Sequence, residues 1–211
     1  MKITVLGATG GTGVRVVRHA LASGHRVTAV VRDRARLDVP DGPDLEIVVA
    51  DPADRDALAP AIAGSDAVVS ALGHRGKGPS RVCRDSAPAT IAAMTAAGVR
   101  RLVVVSASGM HTTGDGSFTK YVVKPLLGRV LREGFEDMLA MEDVVAASDL
   151  DWTIVRPPRL TEGPRTGRVR SRIGANVRGS FSISRADLAE YLVRTATDGV
   201  PNRAPVSVAH G

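Results

Sequence analysis

Three glycines near the start of the chain constrain its fold more than any other feature. Gly7, Gly10 and Gly13 stand between a short apolar run and a stretch whose apolar residues recur at helical spacing. This order predicts a strand, a tight turn and a helix, in which Gly7 permits the turn and Gly13 lets the helix pack on the strand. The turn presents backbone N–H groups and the positive end of the helix dipole, and Gly10 permits the close approach of a diphosphate.

The same alternation of strand and helix patterns continues along the chain. Such alternation needs right-handed crossovers, so the sheet is expected to be mostly parallel and covered on both faces. We therefore predict one doubly wound α/β domain over residues 1–211, with residues 157–183 as an irregular lid or substrate loop. Ser184 and Asp187 are set as a capping box for the last helix. The predicted strands are 3–6, 27–31, 45–50, 67–72, 102–105 and 152–155, and the helices after the first are 54–63, 80–97 (broken or bent at Pro88), 125–147 and 184–197.

Charge and composition narrow the class of protein. The chain has 211 residues, a formal net charge of +6 and only 3% aromatic residues. Seven arginines and one acid, Glu162, lie within residues 156–178, so the whole excess of positive charge belongs to that segment. Because few aromatic side chains are present to stack on bases, a nucleic-acid partner is not expected.

Other classes of protein are excluded by what the sequence omits. No apolar run approaches the ~18 residues of a membrane span, and the glycine turn begins before a signal-peptide core could form. A cytoplasmic protein without a membrane partner is expected, either a monomer or a homodimer. Cys83 is the single cysteine and the five histidines are scattered, so no metal site is expected.

The ends of the second, third and fourth predicted strands carry the residues that would select a cofactor. Arg32 follows the second strand, where an arginine pairs with the 2′-phosphate of NADP and an acid would bind the ribose of NAD. This favours NADP(H), although the adjacent Asp33 suits either that acid or the cap of a short turn over 34–37. Asp51, after the third strand, suits the adenine amino group or the start of the next helix. The small turn that passes the cofactor after the fourth strand is Ala71, Leu72 and Gly73.

These motifs resemble the short-chain dehydrogenase/reductase superfamily, and within it the atypical branch of NmrA-like and biliverdin-IXβ/flavin reductase proteins. The resemblance implies a Rossmann fold, NADPH binding and, in the nearest relatives, reduction of flavins, quinones or tetrapyrroles. It is carried by residues 7–13, 31–33, 66–69 with 72–73, 106–108 and 156–158. The expected cofactor contacts are Gly7, Thr9, Gly10, Gly11, Thr12, Gly13, Arg32, Asp51, Ala71, Leu72, Gly73, Ser106, Pro157 and Pro158.

One departure from this superfamily concerns its catalytic Tyr-x-x-x-Lys motif. The nearest match, Tyr121-Val122-Val123-Lys124, is one residue short, and Pro125 disfavours helix before it. Tyr121 and Lys124 are therefore either a shifted dyad or a loop tyrosine and a solvated lysine. A ketone needs a proton donor worth about 10²–10⁴ in rate, whereas a conjugated acceptor spreads the added charge and depends on positioning. The sequence thus favours NADPH-dependent hydride transfer to a flavin, a quinone or a similar conjugated compound.

Residues that follow the fifth and sixth predicted strands are expected to face the substrate. The candidate catalytic residues are Ser108, Ser106 and Tyr121. Nothing near His111 in sequence orients its ring, which favours an exposed loop histidine over a catalytic acid. The arginines after the sixth strand favour an anionic acceptor, with a solvated or self-associating surface as the alternative. The candidate substrate-binding residues are Met110, His111, Arg159 and Arg165.

Two other functions are compatible with the sequence. An NmrA-like protein that senses the NADPH/NADP ratio without catalysis would turn over none of the conjugated acceptors. A biosynthetic tailoring reductase that acts on a ketone of a secondary metabolite would depend on Tyr121, so loss of activity in Tyr121→Phe would support it.

Overall fold

The computed structural model describes residues 1–74, 80–116 and 132–211. No helix within these ranges is both long enough and apolar enough to cross a membrane. The strands are β1 (Lys2–Leu6), β2 (Arg26–Val31), β3 (Leu45–Val49), β4 (Ala67–Ser70), β5 (Arg101–Val105), β6 (Asp151–Arg156), β7 (Arg159–Thr161), β8 (Val169–Ile173), β9 (Ser182–Ser184) and β10 (Ala204–His210). The α-helices are α1 (Gly13–Ala22), α2 (Arg55–Ile62), α3 (Val82–Ala96), α4 (Arg132–Ala146) and α5 (Arg185–Asp198).

Eight of these strands form one sheet in the order β3-β2-β1-β4-β5-β6-β10-β8. All neighbours from β3 to β10 are parallel, and β8 completes the edge antiparallel to β10. β1 lies between β2 and β4, so the strand order reverses there and opens a crevice at the carboxyl ends of β1 and β4. The doubly wound α/β fold predicted from the sequence is confirmed. β7 and β9 form a separate parallel pair.

Both faces of the main sheet are buried. Leu102 and Val104 of β5 pack into a core with α2, α3 and α4, whereas Val103 and Val105 pack into a second core with α1 and α5. A strand that is buried on both sides needs apolar residues at every position, which explains the continuous apolar run of β5. The two helical layers thus hold the strand ends rigidly where the crevice opens.

Side-chain caps fix the ends of several elements. Asp33 accepts from the backbone N–H of Ala35 at 3.0 Å and so caps a 3₁₀ turn, one of the two roles that the sequence left open. Ser184 caps α5 by accepting from the N–H of Asp187 at 2.9 Å, as predicted. The Asp187 carboxylate also reaches outside the helix, where it accepts from the N–H of Thr166 at 2.7 Å. It therefore fastens the segment before β8 to the start of α5.

Residues 157–183 and the end of the chain differ from the prediction. Residues 157–183 were expected to be irregular, yet they contain β7, β8 and the first residues of β9. β8 has the sequence VRSRI at the edge of the sheet, so it lacks the apolar run of a buried strand. β10 was not predicted, because Pro205 and Ser207 interrupt its apolar pattern. Of the two alternatives expected at Pro88, a break or a bend, the break was wrong, since α3 continues through this residue.

Candidate functional site

The turn after β1 has a geometry that only glycine allows at two positions. Gly7 has a φ of +75°, and a Cβ there would lie 2.8 Å from the carbonyl oxygen of Ala71. A Cβ on Gly13 would lie 2.1 Å from the carbonyl oxygen of Gly7. The N–H of Gly10 donates to that same oxygen at 2.8 Å and closes the turn. The turn therefore presents bare backbone beside the first turn of α1, the arrangement that suits a bound phosphate group.

This turn forms one wall of a cavity of about 540 Å³ at the carboxyl ends of the strands. The volume lies within the range of small-molecule and cofactor sites. Ten of the predicted cofactor contacts line it: Gly7, Thr9, Gly10, Gly11, Thr12, Arg32, Ala71, Leu72, Gly73 and Ser106. Sequence reasoning missed several further lining residues, among them Pro52, His74, Ser80, Met138, Leu160 and Arg185.

The other predicted cofactor contacts lie beside this cavity. Gly13 is buried beneath the turn, and the Asp51 carboxylate accepts from the backbone N–H two residues later at 2.9 Å. The carbonyl oxygen of Pro157 accepts from the N–H of Ser108 at 2.8 Å. Within the described part of the chain, these residues and Pro158 are not among those that line the cavity. Their roles in cofactor binding stay predictions.

The candidate catalytic residues fall into three different places. Ser106 lines the cavity and is only 3% exposed. Among the described residues its hydroxyl oxygen has no partner at hydrogen-bonding geometry. Ser108 begins a 3₁₀ turn, Ser108–Met110, that is not part of the described cavity wall. Tyr121 and Lys124 lie outside the described residues.

The candidate substrate-binding residues surround the cavity without lining its described wall. Met110 ends the 3₁₀ turn after β5, and Arg159 is exposed on β7. The Arg165 guanidinium donates to the Glu190 carboxylate of α5 at 3.0 Å. That exposed ion pair already neutralises one of the arginines on which the anionic-acceptor hypothesis depends.

Glu142 on α4 is a buried carboxylate that binds two basic side chains. Glu142 has a side chain only 6% exposed, and it binds Arg156 at the end of β6 through two guanidinium nitrogens, Nε at 3.0 Å from Oε1. The Nε2 of His111 lies 3.2 Å from its Oε2. Burial alone would raise the pKa of Glu142, but hydrogen bonds from His111 and Arg156, together with the nearby hydroxyl of Ser106, lower it from 4.5 to about 2. The carboxylate is therefore ionised throughout the physiological range.

This cluster corrects the expectation that His111 is an exposed loop histidine. The histidine is half-buried, its ring contacts Glu142, and its carbonyl oxygen accepts from the side-chain amide of Asn176 at 2.6 Å. Glu142 is 31 positions away in sequence, on a helix that reaches β5 and β6 only after folding. The pairing itself could not be predicted from local sequence, because it joins two separate elements. A local signal did exist for the burial of Glu142, which stands four residues after Met138 and three before Val145, on the apolar face of α4.

A second cluster, which the sequence did not predict either, stands over the glycine turn. Arg185 of α5 lines the cavity, and its guanidinium binds the Glu162 carboxylate. Arg15 of α1 donates to the other carboxylate oxygen at 2.7 Å and to the carbonyl oxygen of Gly11 at 2.6 Å. Two guanidinium groups thus flank the turn, where they raise the local positive potential. Within the described ranges no cluster of side chains is suited to a metal ion.

Comparison with known proteins identifies the family. A family model described as NAD(P)H-binding matches residues 7–199. The chain belongs to this NAD(P)H-binding family. The predicted kinship with atypical short-chain dehydrogenases/reductases is confirmed as well. These assignments give an oxidoreductase-like, nicotinamide-cofactor-binding protein, in agreement with the glycine turn and the strand order.

Individual relatives agree with this assignment. An Arabidopsis thaliana protein, named as uncharacterised and chloroplastic, is 34% identical over 178 residues, which are 80% of this chain and 62% of the relative. A 3-diazoavenalumate denitrifying reductase from a Streptomyces species is 33% identical over 192 residues, 81% of this chain and 59% of the reductase. The chain thus spans less than two thirds of the length of either relative. A short-chain dehydrogenase/reductase from Veillonella parvula, solved in complex with NADP, has the same fold, with a TM-score of 0.83 and 16% identity over 99% of this chain and 94% of that chain.

The residues of the cavity fit a nicotinamide dinucleotide. One end of the cavity is formed by the glycine turn. A Cβ on Gly7 or Gly13 would collide with backbone there, so the turn carries no side chain at these positions. Arg32 lines the cavity directly after β2, and Ser106 brings a buried hydroxyl without a hydrogen-bonding partner among the described residues to the end of β5. These groups match the phosphate, ribose and amide portions of such a molecule in chemical type.

Proposed function

We propose that the protein is an NADPH-dependent reductase of conjugated acceptors such as flavins or quinones. One observation carries the coenzyme part of the proposal: Arg32 lines the cavity, whereas the neighbouring Asp33 is engaged in capping its own turn. An acid that is already used as a cap is a poor partner for the ribose of NAD. The guanidinium of Arg32 is suited to the 2′-phosphate of NADP(H).

Different residues of the cavity would bind different parts of the cofactor. The amide groups of the glycine turn would hold the diphosphate, and Ala71, Leu72 and Gly73 would bound its path along the end of β4. When bound, the nicotinamide supplies a hydride for an acceptor in the same cavity. Ser106 would orient the carboxamide or the acceptor through its hydroxyl group, and Met138 and Leu160 would exclude water from that end.

The groups on the described wall of the cavity suit an acceptor whose added charge is delocalised. They include the hydroxyl of Ser106 and the backbone of the glycine turn. Tyr121 lies outside the described residues. A flavin or a quinone disperses the added negative charge, so Ser106, backbone N–H groups and nearby cations are sufficient.

A relative supports a second candidate within the same reaction class. The Streptomyces protein is named as a reductase of 3-diazoavenalumate. On that basis the acceptor of this chain would be a biosynthetic intermediate rather than a free flavin. Turnover with one class of acceptor and not the other separates the two candidates.

The test is to measure NADPH and NADH consumption with FMN, menadione and dichloroindophenol, each at several concentrations. Saturable turnover with NADPH supports the proposal, and its absence with every acceptor contradicts the assignment of a flavin or quinone as the acceptor. The coenzyme part is tested separately by comparing Arg32→Ala with the matched control Arg34→Ala, whose guanidinium pairs with Asp41 at 2.6 Å. Only Arg32→Ala should raise the Michaelis constant for NADPH, by about tenfold. A preference for NADH that survives this substitution would overturn the coenzyme assignment.

A further inference from the structure

Arg185 lies directly on the loop that would cradle a diphosphate. A Cβ on Gly11 would be 3.0 Å from Nε and 3.1 Å from Cδ of this arginine. The Arg185 side chain is 26% exposed and lines the same cavity as the glycine turn. Its side chain is therefore held against Gly11 of the glycine turn, at the wall of the cavity and not on an open surface.

Glu162, which holds Arg185 in this position, is exposed to solvent, and its ion pair with Arg185 is therefore weak. Glu162, whose side chain is 65% exposed, binds Arg185 through one carboxylate oxygen and Arg15 through the other. Ion pairs with such exposure contribute only about 0–1 kcal/mol, because water solvates the separated charges almost as well. Loss of the Arg185 pair would still leave Glu162 bound to Arg15, which is itself anchored to the carbonyl oxygen of Gly11.

We propose that Arg185 is a ligand of the cofactor's diphosphate, and that Glu162 holds the guanidinium in place until the diphosphate replaces it. This inference rests on the proposed binding of a nicotinamide dinucleotide. A diphosphate offers the same paired oxygen acceptors as a carboxylate, carries more negative charge, and would sit where the glycine turn adds its own N–H groups. The exchange therefore costs a weak exposed ion pair and gains a stronger, partly buried one.

The same argument separates Arg185 from Arg32. Arg32 follows β2, which lies on one side of β1, whereas Arg185 approaches from α5 onto Gly11 at the start of the first crossover. We expect Arg32 to discriminate between NADPH and NADH through the 2′-phosphate. Arg185 should serve both coenzymes equally, since both contain the diphosphate.

The experiment measures dissociation constants for NADPH and NADH by isothermal titration calorimetry at low salt. Arg185→Ala should weaken both coenzymes by about tenfold. Arg32→Ala should weaken NADPH alone. The matched control is Arg100→Ala, which removes the same charge from a pair with Asp151 at the amino ends of β5 and β6, at the opposite edge of the sheet. It should leave both affinities within twofold of the wild type.

A second variant keeps Arg185 intact and tests the exchange itself. Glu162→Gln removes the competing charge, so it should tighten binding of both coenzymes by about threefold. Unchanged or weaker binding in Glu162→Gln would overturn the exchange. Should Arg185→Ala bind like Arg100→Ala, or lose affinity for NADPH only, the diphosphate assignment falls while the proposed function stands. If the wild-type protein binds neither coenzyme, it is the proposed function that fails.

Discussion

Two glutamates of this protein each bind two basic side chains, yet they stand in opposite environments. Glu142 is 6% exposed and holds Arg156 and His111 behind the cavity, whereas Glu162 is 65% exposed and holds Arg15 and Arg185 in front of it. When a buried carboxylate loses its cationic partner, its charge stays buried without water to solvate it. When an exposed carboxylate loses its partner, water solvates the charge again. The comparison indicates one ion cluster that burial holds together and a second, around Glu162, whose exposed pairs can exchange as proposed above.

The largest difference between the two clusters is expected in the free energy of unfolding when the glutamate is replaced. Glu142→Gln keeps the shape of the side chain but leaves Arg156 buried without its counter-ion, so the free energy of unfolding should fall by about 3–5 kcal/mol. Urea denaturation followed by circular dichroism measures this change. A loss below 1 kcal/mol would show that the Glu142 cluster is as replaceable as the exposed one.

The next effect is a pH dependence that belongs to Glu142. Its pKa in the folded protein, about 2, lies below its ordinary value of 4.5, so folding favours the ionised form. The stabilisation is fully present above pH 4.5 and is lost as the pH falls towards 2, by about 3 kcal/mol in total.

Urea denaturation at a series of pH values between 6 and 2.5 tests this, with Glu142→Gln as the matched control. The wild-type curve should fall more steeply than that of the variant. Parallel curves would mean that the pKa of Glu142 is not lowered by its partners.

The smallest change in the free energy of unfolding is expected when Glu162, the carboxylate of the exposed cluster, is replaced. Glu162→Gln should change the free energy of unfolding by less than about 1 kcal/mol, because both of its pairs are open to solvent. The same urea denaturation at neutral pH measures it. A loss as large as that of Glu142→Gln would contradict the contrast, and it would make Glu162 a structural anchor and not an exchangeable partner.

The part of the site that the sequence predicted is the part built from local geometry. The collisions of a Cβ at Gly7 and Gly13 are set by backbone within one turn, so glycine spacing reports them directly. Arg32 lies immediately after a strand whose apolar run is visible, and that position in a doubly wound sheet is fixed by the fold. Pocket residues that directly follow a strand can therefore be predicted once the fold and the end of that strand are known.

The parts that were missed depend on contacts across the molecule. His111 and Glu142, or Glu162 and Arg185, come from elements that meet only when both helical layers have packed on the sheet. β8 was missed for a similar reason, because a largely exposed edge strand has no continuous apolar run and is recognised only by its pairing with β10. Tyr121 and Lys124 lie outside the described residues, so their roles stay predictions.

The sequence by itself determined the parallel sheet, the position of the glycine turn and the position of Arg32 at the end of β2. Each follows from periodicity, backbone sterics and chain order, which act over a few residues. Only the tertiary structure decided which carboxylate is buried with its cations and which remains exposed to solvent. Burial depends on the packing of distant elements, and it is burial that sets the free-energy cost of separating a pair of charges.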